Sequence, residues 1–238
     1  MPFSIFKCVK KFLLILIILL TAVAGYFYVQ PQSYHYLKFN LQEPSGYAST
    51  GLDVSHHQGK INWDEVFAAD NHVTIDFVYL KVTEGKTHVD TQWKRNRKAL
   101  LKRKIKHGAY HFMATKSYPW PQVEHFLKNY SYKVGDLPPV LDVELEGFSD
   151  EDLIAKMKIW LDAVEQSTGI RPIIYTSDHF YTTKFRNKFP NTKFWIASYS
   201  RSPKYLSDDA IVHWQWTKGA NINGIGEKVD LNVSKLIY

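Results

Sequence analysis

The chain of 238 residues predicts an α/β fold, a closed barrel of eight strands that is regular early and irregular late. Two observations carry this expectation. Short, nearly continuous apolar runs alternate with polar, helix-like stretches, the pattern of parallel strands covered by helices on both faces. Taking Asp53, Tyr79, Tyr110, Asp142 and Tyr175 as strand markers, the first five runs fall 26 to 33 residues apart, room for a strand and its crossover helix. Ala197, Trp214 and Leu231 mark three more. The last two intervals are 17 residues each and hardly admit a helical crossover.

In chain order, the strands are TGLDVS at 50–55, FVYLKV at 77–82, HGAYHF at 107–112, PPVLDVE at 138–144, PIIYTS, FWIASY, IVHWQW and VDLNV. Asn62, with Glu65 three residues on, opens a short helix after the first strand. Residues 91–106 form another, with Trp93, Leu100, Leu101 and Ile105 toward a core. Ser149 followed by Asp152 caps a third, in which Leu153, Ile154, Met157, Trp160, Leu161 and Val164 share a face until Gly169 stops it. No internal repeat is evident.

Ahead of the barrel, residues 12–29 contain no charge and follow Lys7, Lys10 and Lys11. A helix of that length spans roughly 27 Å, about the hydrocarbon thickness, and the lysines orient everything after it outside the cytoplasm. Residues 1–31 are thus expected to be a transmembrane anchor, with Tyr26, Phe27 and Tyr28 as an interfacial belt. The alternative is a signal peptide cleaved after Ala24, since Ala22 and Ala24 form an AxA pattern. Residues 32–48, with Pro44 and Gly46, read as a stalk, and 49–238 as the folded domain.

Composition excludes several classes. The single cysteine, Cys8, permits neither an intramolecular disulfide nor a cysteine-built metal site. Net charge is +7, of which the leader lysines carry three. Aromatic residues make up 15%, a composition that suits both packing and the flat faces of sugars. HExxH, GxSxG and phosphate-loop motifs are missing, and His56 and His57, on an extended strand, would point to opposite sides. His107 and His111 lie in a strand-like segment around Gly108, a poor metal site. Neither metal nor cofactor is expected. Eight basic residues between Lys94 and Lys106 read as a solvated outer helix face rather than a nucleic-acid surface, facing an anionic wall polymer or headgroup.

The chemistry concentrates in carboxylates. Asp142 and Glu144 differ by two in a strand-like run, so both point into one pocket. Acids at the C-terminal end of a buried parallel strand occupy the end where barrel active sites lie. Asp53 and Asp230 hold corresponding places in the first and last strands, which are neighbours in a closed barrel. Four acids converging on one mouth raise one another's pKa and supply a protonated acid beside an ionised partner. Cleavage of a glycosidic bond requires that pairing. Tyr79, Tyr110, Tyr175, Tyr199 and Trp214, at strand ends, are candidate sugar-stacking rings, each equally plausible as core. Lys81 and Glu84 would either hydrogen-bond substrate or hold the acids in place, or else form a purely structural salt bridge.

These residues resemble glycoside hydrolase family 25, the muramidases often called Chalaropsis-type lysozymes, over roughly residues 50–235. The resemblance rests on GLDVSHHQG, INWDEV, DFVYLKVTEG, HGAYHF, PPVLDVE, PIIYTS, FWIASY, HWQWT and VDLNV, in that order. It implies a flattened, irregular (β/α)8-like barrel, a TIM-barrel variant, that cleaves the β-1,4 bond between N-acetylmuramic acid and N-acetylglucosamine in peptidoglycan. By motif, Glu144 would be the general acid, Asp142 and Asp53 acidic partners at the sugar centre, and Asp230 the residue completing the site. Tyr79, Tyr110, Tyr199 and Trp214 match positions lining the family's groove. His57 departs from the pattern, standing where a bulky residue such as Trp is common. The expected partners are glycan strands and, through the N-terminal helix, a membrane; the protein is expected to be a monomer. The competing reading is a non-catalytic carbohydrate-binding envelope protein on the same barrel.

Overall fold

The computed structural model describes residues 44–69, 73–199 and 202–238. Among these, nine strands form one sheet: β1 (Ser49–Val54), β2 (Phe77–Glu84), β3 (His88–Val89), β4 (Lys106–Phe112), β5 (Val140–Asp142), β6 (Ile173–Ser177), β7 (Phe194–Ala197), β8 (Ile211–Ala220) and β9 (Val229–Ser234). Their order is β1-β9-β8-β7-β6-β5-β4-β2-β3, and a further β1–β2 pairing closes the ring. β3 stands outside it as a two-residue antiparallel extension of β2. Eight strands make the barrel, as the run count implies.

Around the ring, pairing is parallel from β1 through β8, and β9 runs antiparallel to both β8 and β1. The last short interval has this cause: β9 returns directly beside β8, needing no crossover, whereas the interval before it joins the parallel pair β7 and β8. Reversal also matters for Asp230. It lies near the start of β9, which is why it faces Asp53, near the end of β1, as its register partner.

Four helices are regular: α1 (Trp63–Val66), α2 (Trp93–Arg103), α3 (Pro119–Asn129) and α4 (Asp150–Thr168). In α4 the Ser149 side chain accepts from the Asp152 N–H, and Gly169 ends the helix at φ 74°, a left-handed conformation that glycine adopts without steric cost. α2 is shorter than 91–106 because Lys104 takes a left-handed conformation. Leu101, expected in the core, is exposed, since Leu100 occupies the inward position. α3 was not anticipated from the sequence; Pro119 starts it, and Val123 and Phe126 are its buried face. After β6, the single turn Asp178–Phe180 continues as a π-helical turn, Tyr181–Phe185, so the second half is irregular as expected.

Two apolar layers result. The larger lies between sheet and helices and includes Leu141, Met157, Trp160, Leu161, Ile174, Trp214 and Trp216. The smaller contains Phe77, Tyr79, Val140, Ile173, Tyr175 and Trp195. Tyr79 of β2 meets Trp195 of β7 at 5.0 Å between ring centroids, and these strands are not neighbours, so this layer fills the barrel interior. Tyr238 plugs the lower end, its ring 4.9 Å from that of Phe77 and its N–H donating to Ser49 Oγ. At the same end the Ala48 N–H donates to Ser234 O, so the chain joins the barrel opposite the mouth. The anchor over 1–31 and most of the stalk lie outside the described residues; within these, no helix is long and apolar enough to cross a membrane.

Candidate active site

One cavity of about 230 Å³ opens at the C-terminal end of the parallel strands, and Asp53, Asp142, Glu144 and Asp230 all line it. Lys81, Tyr110, Tyr175, Gln215, Trp195 and His57 complete much of its wall. A second cavity of about 490 Å³ shares Glu144 and Tyr175 with the first and continues past Ser177, Ala197 and Tyr199. The two form a groove with Glu144 at their junction.

The acids divide into two pairs. Asp53 is partly buried, and its Oδ2 accepts from Asn232 Nδ2 at 2.7 Å and from Gln215 Nε2 at 2.9 Å. Both amides are held in that orientation. Gln215 Oε1 accepts the hydroxyls of Tyr175 (2.8 Å) and Tyr199 (2.6 Å), and Asn232 Oδ1 accepts the Trp195 indole N–H (2.8 Å). Two fixed donors stabilise the ionised form and oppose the burial that raises the Asp53 pKa. Asp230, beside it, is pushed up to about 8, first by burial and then by the Asp53 charge. This pair shares one proton, held on Asp230.

Asp142 ends β5 and is buried, whereas Glu144 is exposed at the rim. Burial, followed by the Glu144 charge, lifts the Asp142 pKa well above the carboxylate range, with Lys81 opposing. Burial raises Glu144 as well, and its hydrogen bond from Asp142 together with Lys81 and Lys218 counteracts it. The less solvated acid therefore keeps the proton in the resting site. Lys81 is nearly buried, its Nζ 2.7 Å from Glu84 Oε2 and 4.9 Å from the Phe112 ring centroid.

Several sequence expectations need correction. Tyr79 is fully buried, and its hydroxyl donates to Pro138 O below the cavity. Phe77, Tyr79 and Lys81 all face inward on β2, and only Lys81 reaches the cavity. Trp214 points to the outer layer and donates its indole N–H to Ser198 O; strand alternation turns Gln215 inward instead. Glu84 does not line the cavity and serves as the Lys81 partner. His56 and His57 do not diverge on a strand but lie with tilted rings 4.1 Å apart, centroid to centroid, on a single 3-10 turn, His56–Gln58, capped by Ser55. His56 Nδ1 lies 2.9 Å from Asp90 Oδ2, and His57 lines the cavity. Buried His111 engages Thr83 and Gln122. Among the described residues no His, Cys, Asp and Glu group is arranged to hold a metal.

Tyr110 and Tyr175 do line the first cavity, and Tyr175 and Tyr199 the second. Gln215 and Asn232 were missed. The available signal was a lone amide between two tryptophans and an amide two positions after Asp230, hence on the same face.

Paired acids whose pKa values burial raises, at the mouth of an α/β barrel and beside a groove with tyrosines, fit a glycoside hydrolase. Residues 52–225 match the sequence model of glycosyl hydrolases family 25, and the chain belongs to that family. The protein YegX of Escherichia coli K12 is 34% identical over 216 residues, 90% of this chain and 79% of that one. Lysozyme M1 of Streptomyces globisporus is 28% identical over 202 residues, 76% of this chain and 66% of its own. Among solved structures, a family 25 glycosyl hydrolase from Bacillus anthracis superposes with a TM-score of 0.74 at 27% identity, covering 81% of this chain and 91% of the other. The bacterial lysozyme from Streptomyces coelicolor does so at 0.71 and 27%, covering 82% and 94%.

Proposed function

We propose that this hydrolase is a muramidase that cleaves the β-1,4 bond between N-acetylmuramic acid and N-acetylglucosamine in peptidoglycan. The observation that carries the reading is the convergence of Asp53, Asp142, Glu144 and Asp230 on one cavity. Relatives named as lysozymes and N,O-diacetylmuramidases support the substrate class.

In this reading Glu144, at the junction of the two cavities, protonates the leaving oxygen. Asp142 orients the 2-acetamido group of the sugar undergoing cleavage. The acetamido N–H donates to Asp142, which favours its ionised form and moves the shared proton to Glu144, where it is needed. The acetamido oxygen then attacks the anomeric carbon as the glycosidic bond breaks, and Glu144 gives its proton to the departing oxygen. Water opens the resulting cyclic intermediate, returning a proton to Glu144. Asp53, whose two amide donors favour its ionised form, stabilises positive charge developing at the anomeric carbon. Tyr110, Tyr175 and Tyr199 border the sugars.

If residues 1–31 form a membrane anchor, the junction at Ala48 directs the mouth away from the bilayer, toward the wall. Purified peptidoglycan digested by the full chain should expose new muramic acid reducing ends. New glucosamine ends or freed peptides would overturn the proposal. Glu144→Gln should lower turnover by at least about 10²-fold with little change in unfolding midpoint; a wild-type rate would remove Glu144 from its role. Product anomers followed by NMR should show retention, and inversion would refute acetamido participation.

A further inference from the structure

We propose that one lip of the mouth is a stacking platform for the glycan strand beyond the sugars held at the carboxylates. Four large apolar side chains stand exposed on the segments that follow β4 and β5: Tyr118 (82%) in the loop after β4, Trp120 (57%) in the first turn of α3, and Leu145 (49%) and Phe148 (73%) in the loop after β5. A folded protein leaves large apolar residues in water singly; four on two hydrogen-bonded segments at the catalytic end offer a surface for a partner.

The loops are fastened to each other. Thr115 Oγ1 donates to Glu146 O at 2.7 Å, and Lys156 Nζ donates to Thr115 O while lying 5.0 Å from the Phe148 ring centroid. Gln122 Nε2 donates to both Ala114 O and Tyr118 O, fixing the turn that carries Tyr118 and Trp120. The backbone that carries the rings is thus held in place, which lowers the ordering cost of binding. Leu145 directly follows Glu144, so the segment after β5 starts at the junction of the two cavities. A long polymer cleaved at Glu144 must leave the groove across a lip, and the flat faces of Tyr, Trp and Phe suit pyranose rings. This inference rests on the muramidase reading for the identity of the polymer.

The test compares the full chain with the triple variant Tyr118→Ala/Trp120→Ala/Phe148→Ala, on a tetrasaccharide of the alternating sugars and on polymeric glycan stripped of its peptides. The expected result is an increase in KM for the polymer of about tenfold or more, with kcat and all tetrasaccharide kinetics unchanged. Proportional losses on both substrates, or no change on either, would overturn the platform. A pelleting assay with the insoluble peptide-free glycan, performed on Glu144→Gln protein with and without the three substitutions, decides the matter without turnover. Loss of pelleting in the combined variant supports the platform, and equal pelleting or a requirement for stem peptides refutes it. If the wild-type chain cleaves neither substrate, the muramidase reading fails, and the pelleting result still stands by itself.

Discussion

Asp230→Asn isolates the energetic cost of crowding acids at the mouth. Burial and the Asp53 charge push the Asp230 pKa up to about 8 from its ordinary 3.8. A carboxyl whose pKa rises on folding supports the folded state fully below its unfolded value and withdraws that support as pH climbs through the folded value, here from about 4 to 8. The gap of about 4 units corresponds to ~6 kcal/mol for an isolated site, and solvent screening at the partly open rim reduces it to about 2–4 kcal/mol. Asparagine cannot ionise, and its amide can still donate to Asp53. Urea unfolding of the full chain in detergent, followed by tryptophan fluorescence at pH 5, 7 and 9, measures the effect. The variant should exceed wild type only slightly at pH 5, where about a quarter to a third of the gap has opened, and by about 2–4 kcal/mol at pH 9. Parallel pH dependences, or a variant less stable at pH 9, would refute the shared-proton description of the Asp53–Asp230 pair.

Gln215→Leu should leave the hydroxyls of Tyr175 and Tyr199 without their acceptor and Asp53 without one donor, lowering kcat about 10- to 100-fold; steady-state kinetics on polymeric glycan would check this. The acidic limb of its pH–rate profile should also move upward, since a lost donor weakens the ionised form of Asp53; an unmoved limb would deny the amide its role. Gly108→Ala should destabilise the barrel by about 1–3 kcal/mol, because a Cβ there would stand within 2.2 Å of the Tyr79 ring, itself walled in by Phe77 and Trp195. Denaturant midpoints would detect the loss, and an unchanged midpoint would mean that the interior repacks freely.

Much of the site was readable before any coordinates. Acids at the ends of apolar runs are costly unless paired or used, so Asp53, Asp142, Glu144 and Asp230 stood out singly, and ring closure implied that they meet. Aromatic residues were less legible. Tyr79 and Trp214 have the same strand-end context as Tyr110 and Tyr175, and apolar side chains are welcome on both faces of a covered strand, so hydropathy cannot tell cavity from core. Gln215 was hidden for a related reason: between Trp214 and Trp216 it looked like an interruption, although alternation makes it the residue that faces the acids.

By itself the sequence determined the strand count, the closure of the barrel, the capped helix Asp150–Thr168 and the four carboxylates, because each depends on local pattern or on a residue type too costly to bury idly. Tertiary structure alone decided the reversal of β9 that brings Asp230 opposite Asp53, and the inward turn of Gln215 and Asn232. It also decided which acid of each pair keeps its proton. Those outcomes depend on strand direction and on differences in solvation across a few ångströms, which arise only when distant segments pack together.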